Sequence, residues 1–187
     1  PCNKRLPGSG CSAMGGLAKG LALFGASEFC VAVSPSDMSV ALAALDAEVE
    51  TVRADGSVRR RAVETLHRLP GDAPQVDTDL AADELILAVE IPPPPPGGQV
   101  WRKVRARASY TGALASVAVA GDRVALGAVA ARPWRARVAE GSLAAGASTV
   151  EAVQAELAHA AGETGRLSLV RRLAVDALEE ARGGDRT

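Results

Sequence analysis

Hydrophobic and polar positions change period several times along the 187-residue chain. Residues 1–28 have no sustained period. "PCNKRLPGSGC" reads as a loop, and Gly15, Gly16 and Gly20 argue against a long helix in the Gly/Ala/Leu-rich stretch after it. "FCVAV" reads as a short buried strand. "SPSDMSVALAALDA" reads as a helix with Ser34 as N-cap, Pro35 in the first turn, Asp37 closing a capping box and Met38, Leu42 and Leu45 on its core-facing stripe. "EVETV" and "VRRRAV" flank Ala54–Ser57, whose Asp-Gly pair predicts a hairpin, with Arg59–Arg61 on a solvated edge. "ELILAVEI" reads as a buried strand that stops at the five prolines Pro92–Pro96, which lack backbone donors.

Beyond the prolines, "VWRKVRA", "ALASVAVA" and "RVALGAVA" predict a three-stranded antiparallel meander, the last two strands joined at Gly121-Asp122. Three helices are expected near 134–144, 149–162 and 168–182. The second opens on a capping box, Ser148 to Glu151, and the third carries Val170, Leu173, Ala174, Ala177, Leu178 and Ala181 on one stripe. Strands followed by helices give an α+β class with helices over one face of the sheet, and "RGGDRT" is expected to fray.

Composition excludes more than it identifies. With 21 basic and 22 acidic residues the net charge is −1, and aromatics are 3%. Neither a nucleic-acid platform nor an anionic-membrane binder is indicated. Apolar runs fall short of the roughly 20 residues that span a bilayer. There is no dinucleotide glycine fingerprint, phosphate loop or nucleophile elbow, and His67 and His159 lack metal-ligand company.

Cys2, Cys11 and Cys30 are the only cysteines. An odd set crowded into thirty residues does not make a disulfide framework. Two readings stand: reduced, partly buried thiols, or three of four ligands to a metal or iron-sulfur centre. Cys-x8-Cys-x18-Cys lacks a zinc knuckle, whereas iron-sulfur clusters accept thiolates from separate loops.

The runs "PCNKRLPGSGC", "GASEFC", "SPSDMSVALAALDA", "LHRLPGD", "KVRARASYTGALASVAVA" and "VALGAVAARPWRARVAE" resemble the FAD-binding subunit of molybdenum hydroxylases, the xanthine dehydrogenase and aldehyde oxidoreductase family. The cysteine loop is similar to the bacterial aldehyde oxidoreductase branch with an additional [4Fe-4S] cluster. The resemblance implies the C-terminal part of a PCMH-type FAD-binding domain over residues 1–91 and a Pro-rich linker over 92–98. A CO-dehydrogenase-flavoprotein-like C-terminal α+β domain, a three-stranded antiparallel sheet plus helices, would follow over 99–187.

It further implies electron transfer to FAD and on to an external acceptor, with the molybdenum cofactor in a large partner subunit and [2Fe-2S] clusters in a small one. The isolated chain would be inactive. Cys2, Cys11 and Cys30 match cluster ligands, the fourth being expected upstream of Pro1. Ser34, Asp37, Leu80 and Lys103 match flavin contacts; the first flavin subdomain, with its Gly-rich loop, has no counterpart here, and Thr111 stands where many relatives have an acidic residue. The resemblance places the protein in the bacterial cytoplasm or periplasm, the cytoplasm favoured. From a different class, a cofactor-free subunit-docking module is the other reading.

Overall fold

A computed structural model describes residues 1–16, 20–162 and 164–183; the expected frayed tail lies mostly outside them. The elements run α1 (Asp37–Ala44), β1 (Glu48–Arg53), β2 (Val58–Ala62), α2 (Val63–Leu66), β3 (Glu84–Glu90), β4 (Gln99–Arg105), β5 (Ala113–Ala120), β6 (Arg123–Gly127), β7 (Trp134–Arg135), α3 (Arg137–Ala144), α4 (Thr149–Leu157) and α5 (Thr164–Gly183). The strands form two antiparallel sheets, β2-β1-β3 before the prolines and β4-β5-β6-β7 after them.

The second sheet is an up-and-down meander, as its alternating apolar runs and the Gly121-Asp122 turn predict, but it has four strands instead of three. Trp134 and Arg135, expected to open a helix, pair with Leu126 and Ala125 as β7. Helix α3 therefore starts at Arg137. The expected strand 123–130 ends at Gly127, because Ala128 takes a left-handed conformation at φ 59°. Gly127 itself admits no side chain: a Cβ there would collide with Ser116 Oγ and lie 2.8 Å from Val40 Cγ2, where α1 crosses the sheet.

Alternation along β5 sends Ala115, Val117 and Val119 into the main core, with Val124 and Leu126 of β6 and the buried stripe Val170, Ala174, Ala177, Leu178 and Ala181 of α5. Leu173 flanks that stripe only partly buried. Leu23 and Phe24 join the same core, Phe24 stacking on Trp134 with ring centroids 4.7 Å apart. Helix α4 has the expected capping box, Ser148 with Glu151, though it stops at Leu157 rather than near 162, and α5 begins four residues earlier than expected.

Residues with side chains on the other face of the sheet, Ala118 and Ala125, meet Val40, Ala43 and Ala44 of α1. Helices thus cover both faces, not one. Helix α1 also differs from expectation at its start. Its cap is Ser36, whose Oγ accepts from Ser39 N at 3.2 Å, and Ser34 instead donates its N–H to Ala130 O at 2.7 Å. The bond to Ala130 ties Ser34 to the chain after β6, outside the helix. Packing on Ala118 and Ala125 buries Val40, Ala43 and Ala44 rather than the expected stripe, leaving Met38 74% exposed. "FCVAV" forms no strand: it runs as irregular chain, Val31 O accepting from Ala22 N at 2.9 Å.

In the first sheet β1 is central. Its hairpin with β2 has the predicted turn, Gly56 at φ 82°. β3, expected to be buried, is an exposed edge, with Leu85, Ile86, Leu87 and Val89 all 43% or more accessible, because among the described residues β1 is its one neighbour in the sheet. The basic run is partly absorbed by ion pairs. Arg60 reaches Glu50 and Glu90 at 2.7 and 2.6 Å, while Arg61, with its side chain only 8% exposed, pairs with Glu84 and Asp79.

The Glu84 carboxylate is fully enclosed. It accepts from the Thr51 hydroxyl and from Ala81 N at 3.0 Å, and these bonds, with Arg61 and Arg59 nearby, hold its pKa below the ordinary value. A depressed carboxylate binds fewer protons in the folded than in the unfolded state. Its stabilisation is therefore complete above the unfolded pKa of about 4.3 and is lost as pH falls through the folded value. Unfolding midpoints measured across that acid range are expected to fall more steeply for the native chain than for Glu84→Gln. Parallel profiles would contradict the assignment.

Candidate functional site

Two groups of residues singled out from the sequence come together in the fold. The first is the cysteine loop. Cys2 and Cys11 face each other across a single antiparallel bridge, with Ser12 N donating to Pro1 O at 3.0 Å. The loop between them turns at Gly8 and Gly10, both at positive φ (80° and 91°), so glycine is required at each. Cys2 N donates to Ser9 Oγ at 3.1 Å, and Lys4 pairs with Asp77.

Cys30 is buried, and its Sγ accepts from Ala32 N at 3.5 Å. At Cys2, the backbone N–H groups of Arg5 and then Lys4 hold the thiol below its ordinary pKa. N–H groups directed at sulfur are the environment that stabilises thiolate ligands and tunes a cluster they carry. All three thiols are free. Among the described residues no three His, Cys, Asp or Glu side chains converge on one metal ion. A four-iron cluster makes a different demand, one thiolate at each of several separate corners. Three free thiols, two of them paired across the bridge and the third accepting from Ala32 N, are soft donors of the kind such a cluster takes.

The second group lies where α1 meets the second sheet. Asp37, at the start of α1, and Lys103, on β4, form an ion pair although 66 positions separate them, with side chains 39% and 20% exposed. The displaced cap makes this possible, because Asp37 is not engaged in a capping box and its carboxylate is free to face β4. Ser34 lies one turn of chain away on Ala130 O. Of the four residues that the resemblance matches to flavin contacts, the fold thus joins Asp37 and Lys103 directly. Leu80 is not with them: it packs against the small core of Ala47, Val49, Val63 and Leu66 under the first sheet.

His67 follows α2 and bridges to Thr78; burial lowers its pKa, opposed by Asp77. His159 is exposed just beyond α4, not mid-helix. Two organising residues were missed in the sequence. Arg166 on α5 donates to the carbonyls of Leu21, Leu114 and Ala128, and Asn3 bonds both sides of the cysteine loop. Neither belongs to a local pattern, because their partners are backbone atoms distant in sequence. Beyond β4, Tyr110 holds φ 51° with its ring 94% exposed, and Arg107 donates to its carbonyl at 2.5 Å.

Residues 14–94 match the family described as FAD binding domain in molybdopterin dehydrogenase. The chain is 46% identical, over 97% of its length, to the aldehyde oxidoreductase FAD-binding subunit PaoB of Escherichia coli (strain K12), and spans 59% of that relative. In fold it is similar to a chain of quinoline 2-oxidoreductase from Pseudomonas putida 86, with TM-score 0.63, 23% identity, and coverage of 82% of this chain and 58% of that one. A chain of reconstituted CO dehydrogenase from Oligotropha carboxidovorans gives TM-score 0.64 at 22% identity, over 80% of this chain and 57% of that one.

Proposed function

Because residues 14–94 match the FAD binding domain in molybdopterin dehydrogenase and nearly the whole chain aligns with an aldehyde oxidoreductase FAD-binding subunit, we propose that it serves electron transfer in an aldehyde-oxidising enzyme, within the FAD-binding subunit. The observation that carries this reading is the 46% identity to an aldehyde oxidoreductase FAD-binding subunit, sustained over nearly the whole chain. The partners would be a large subunit with the molybdenum cofactor and a small subunit with [2Fe-2S] clusters, and electrons would leave to an external acceptor.

FAD supplies the step between one-electron carriers and a two-electron acceptor. The chain's own contribution is placement and charge. Ser34, Asp37 and Lys103 would line the flavin on the α1 side, and Leu80 would contribute apolar contact from the small core. With Asp37 as its counter-ion, Lys103 presents a local charge near zero rather than a free cation. Asp37→Asn would release that cation and favour an anionic reduced flavin. Cys2, Cys11 and Cys30 would hold the extra [4Fe-4S] cluster, with the backbone N–H groups of Arg5 and Lys4 favouring the Cys2 thiolate.

The test is anaerobic purification of the chain with its neighbouring subunits, followed by flavin and iron analysis. Bound flavin is expected, together with a dithionite-bleachable visible absorbance that decreases when Cys2, Cys11 and Cys30 are all changed to serine. Asp37→Asn is expected to raise the flavin midpoint potential. A complex without flavin would overturn the reading and return the cofactor-free docking module.

A further inference from the structure

Asn3 is 6% exposed, and its side chain joins the three cysteine-bearing segments. It follows Cys2 in the chain. Its Oδ1 accepts from Gly10 N at 2.8 Å, next to Cys11, and its Nδ2 donates to Phe29 O at 2.9 Å, next to Cys30. One planar amide thus clasps the backbone beside each thiol. We propose that Asn3 is a positioning residue that sets the mutual placement of Cys2, Cys11 and Cys30 as a ligand set for an iron-sulfur cluster. This rests on the cluster reading above.

The chemistry requires asparagine. The clasp needs one acceptor for Gly10 N–H and one donor for the Phe29 carbonyl on the same short side chain. Aspartate has the same shape but would turn an acceptor toward the Phe29 carbonyl, and alanine removes both bonds. The other anchors of the loop, Ser9 Oγ on Cys2 N and Lys4 on Asp77, do not reach Cys30. Without Asn3, therefore, the Cys2–Cys11 bridge can form while its distance to Cys30 is unspecified. A ligand set with two thiols placed and the third loose binds metal weakly, because closing it costs the ordering of a loop.

The experiment uses the chain co-produced with its partner subunits, comparing wild type, Asn3→Ala, Asn3→Asp and a triple Cys→Ser variant. Iron missing from the triple variant defines the cluster of this chain. The two Asn3 variants are expected to weaken reconstitution with ferrous iron and sulfide by about tenfold or more, as for other outer-shell partners of metal ligands. Flavin content is expected to hold, and the electron paramagnetic resonance lines of residual cluster are expected to shift. In chelator-stripped complex, Cys30 is expected to react with iodoacetamide about tenfold faster in both variants, the gain in opening from one lost hydrogen bond.

Unchanged iron and resonance lines in Asn3→Ala, with iron lost from the triple variant, would overturn the role of Asn3. If the triple variant loses no iron, the cluster reading fails, and an unchanged Cys30 rate in the Asn3 variants would then overturn the clasp separately.

Discussion

Replacing Arg135 with methionine is expected to lower the unfolding free energy by about 3–5 kcal/mol, the usual cost of removing one partner from a buried ion network. The guanidinium, 1% exposed, lies where β7, α1 and α3 meet. Its Nε and Nη2 donate to the two oxygens of Glu140 at 2.8 and 3.0 Å, and its Nη1 donates to Ala43 O at 2.7 Å and to Asp46. Burial opposes its charge, but the bonds and charges of Glu140 and Asp46 outweigh burial and hold its pKa above the ordinary value.

Removing the arginine leaves the last turn of α1 without its cross-link to the second sheet and leaves the Glu140 carboxylate, 15% exposed, with reduced compensation. Urea unfolding of the native chain, Arg135→Met and the double variant Arg135→Met/Glu140→Gln measures this. The double variant is expected to recover part of the loss, since it removes the stranded charge. A single-variant loss below about 1 kcal/mol, the range of an exposed pair, would refute the assignment.

The second large effect is expected at Glu156. This carboxylate is 3% exposed on α4 and accepts from three donors: Trp134 Nε1 at 2.9 Å, Val138 N at 2.9 Å and Ala139 N at 3.1 Å. Helix α3 has no side-chain cap of its own at Ala136, so Glu156 satisfies two of its first N–H groups from a neighbouring helix. It also fixes the indole that stacks on Phe24. Glu156→Ala strands all three donors and is expected to cost about 3–5 kcal/mol, given about 1–3 kcal/mol for each buried unsatisfied group. Glu156→Gln preserves the bulk and one acceptor oxygen and should cost about half as much. Thermal unfolding of the two variants checks the ranking, and equal losses would show that the retained amide oxygen does not stand in for the carboxylate.

How far the fold could be read from the sequence depended on the range of the interaction. The Ser148–Glu151 capping box, the α5 stripe, the Asp-Gly hairpin and the meander rest on contacts within a few residues, and the structure has them all. The start of α1 was misplaced although Ser34 and Ser36 are equally suitable caps locally. The choice fell to Ala130 O, 96 positions beyond Ser34, which engages the Ser34 N–H. Met38 faces solvent because Val40, Ala43 and Ala44 are the residues that meet Ala118 and Ala125.

β3 shows another limit. "ELILAVEI" has the composition of an interior strand, yet apolar content reports what a strand can bury and not how many neighbours it has. At the candidate site, the family resemblance pointed to Asp37, Lys103 and the cysteines one by one. Their grouping was not legible in the residues themselves, because the Asp37–Lys103 pair and the Asn3–Phe29 bond join segments that the sequence separates by 66 and 26 positions.

By itself, then, the sequence determined the class of most elements, the turns between them and the inventory of thiols and charges. These follow from propensity, capping and periodicity, each acting within about one helical turn or one strand pair. Only the tertiary structure decided which face of α1 is buried, that Trp134 and Arg135 form a fourth strand, and which side chains clasp the cysteine loop. Those outcomes depend on distant donors and acceptors that become neighbours only after the core has closed, when every buried polar group must find a partner.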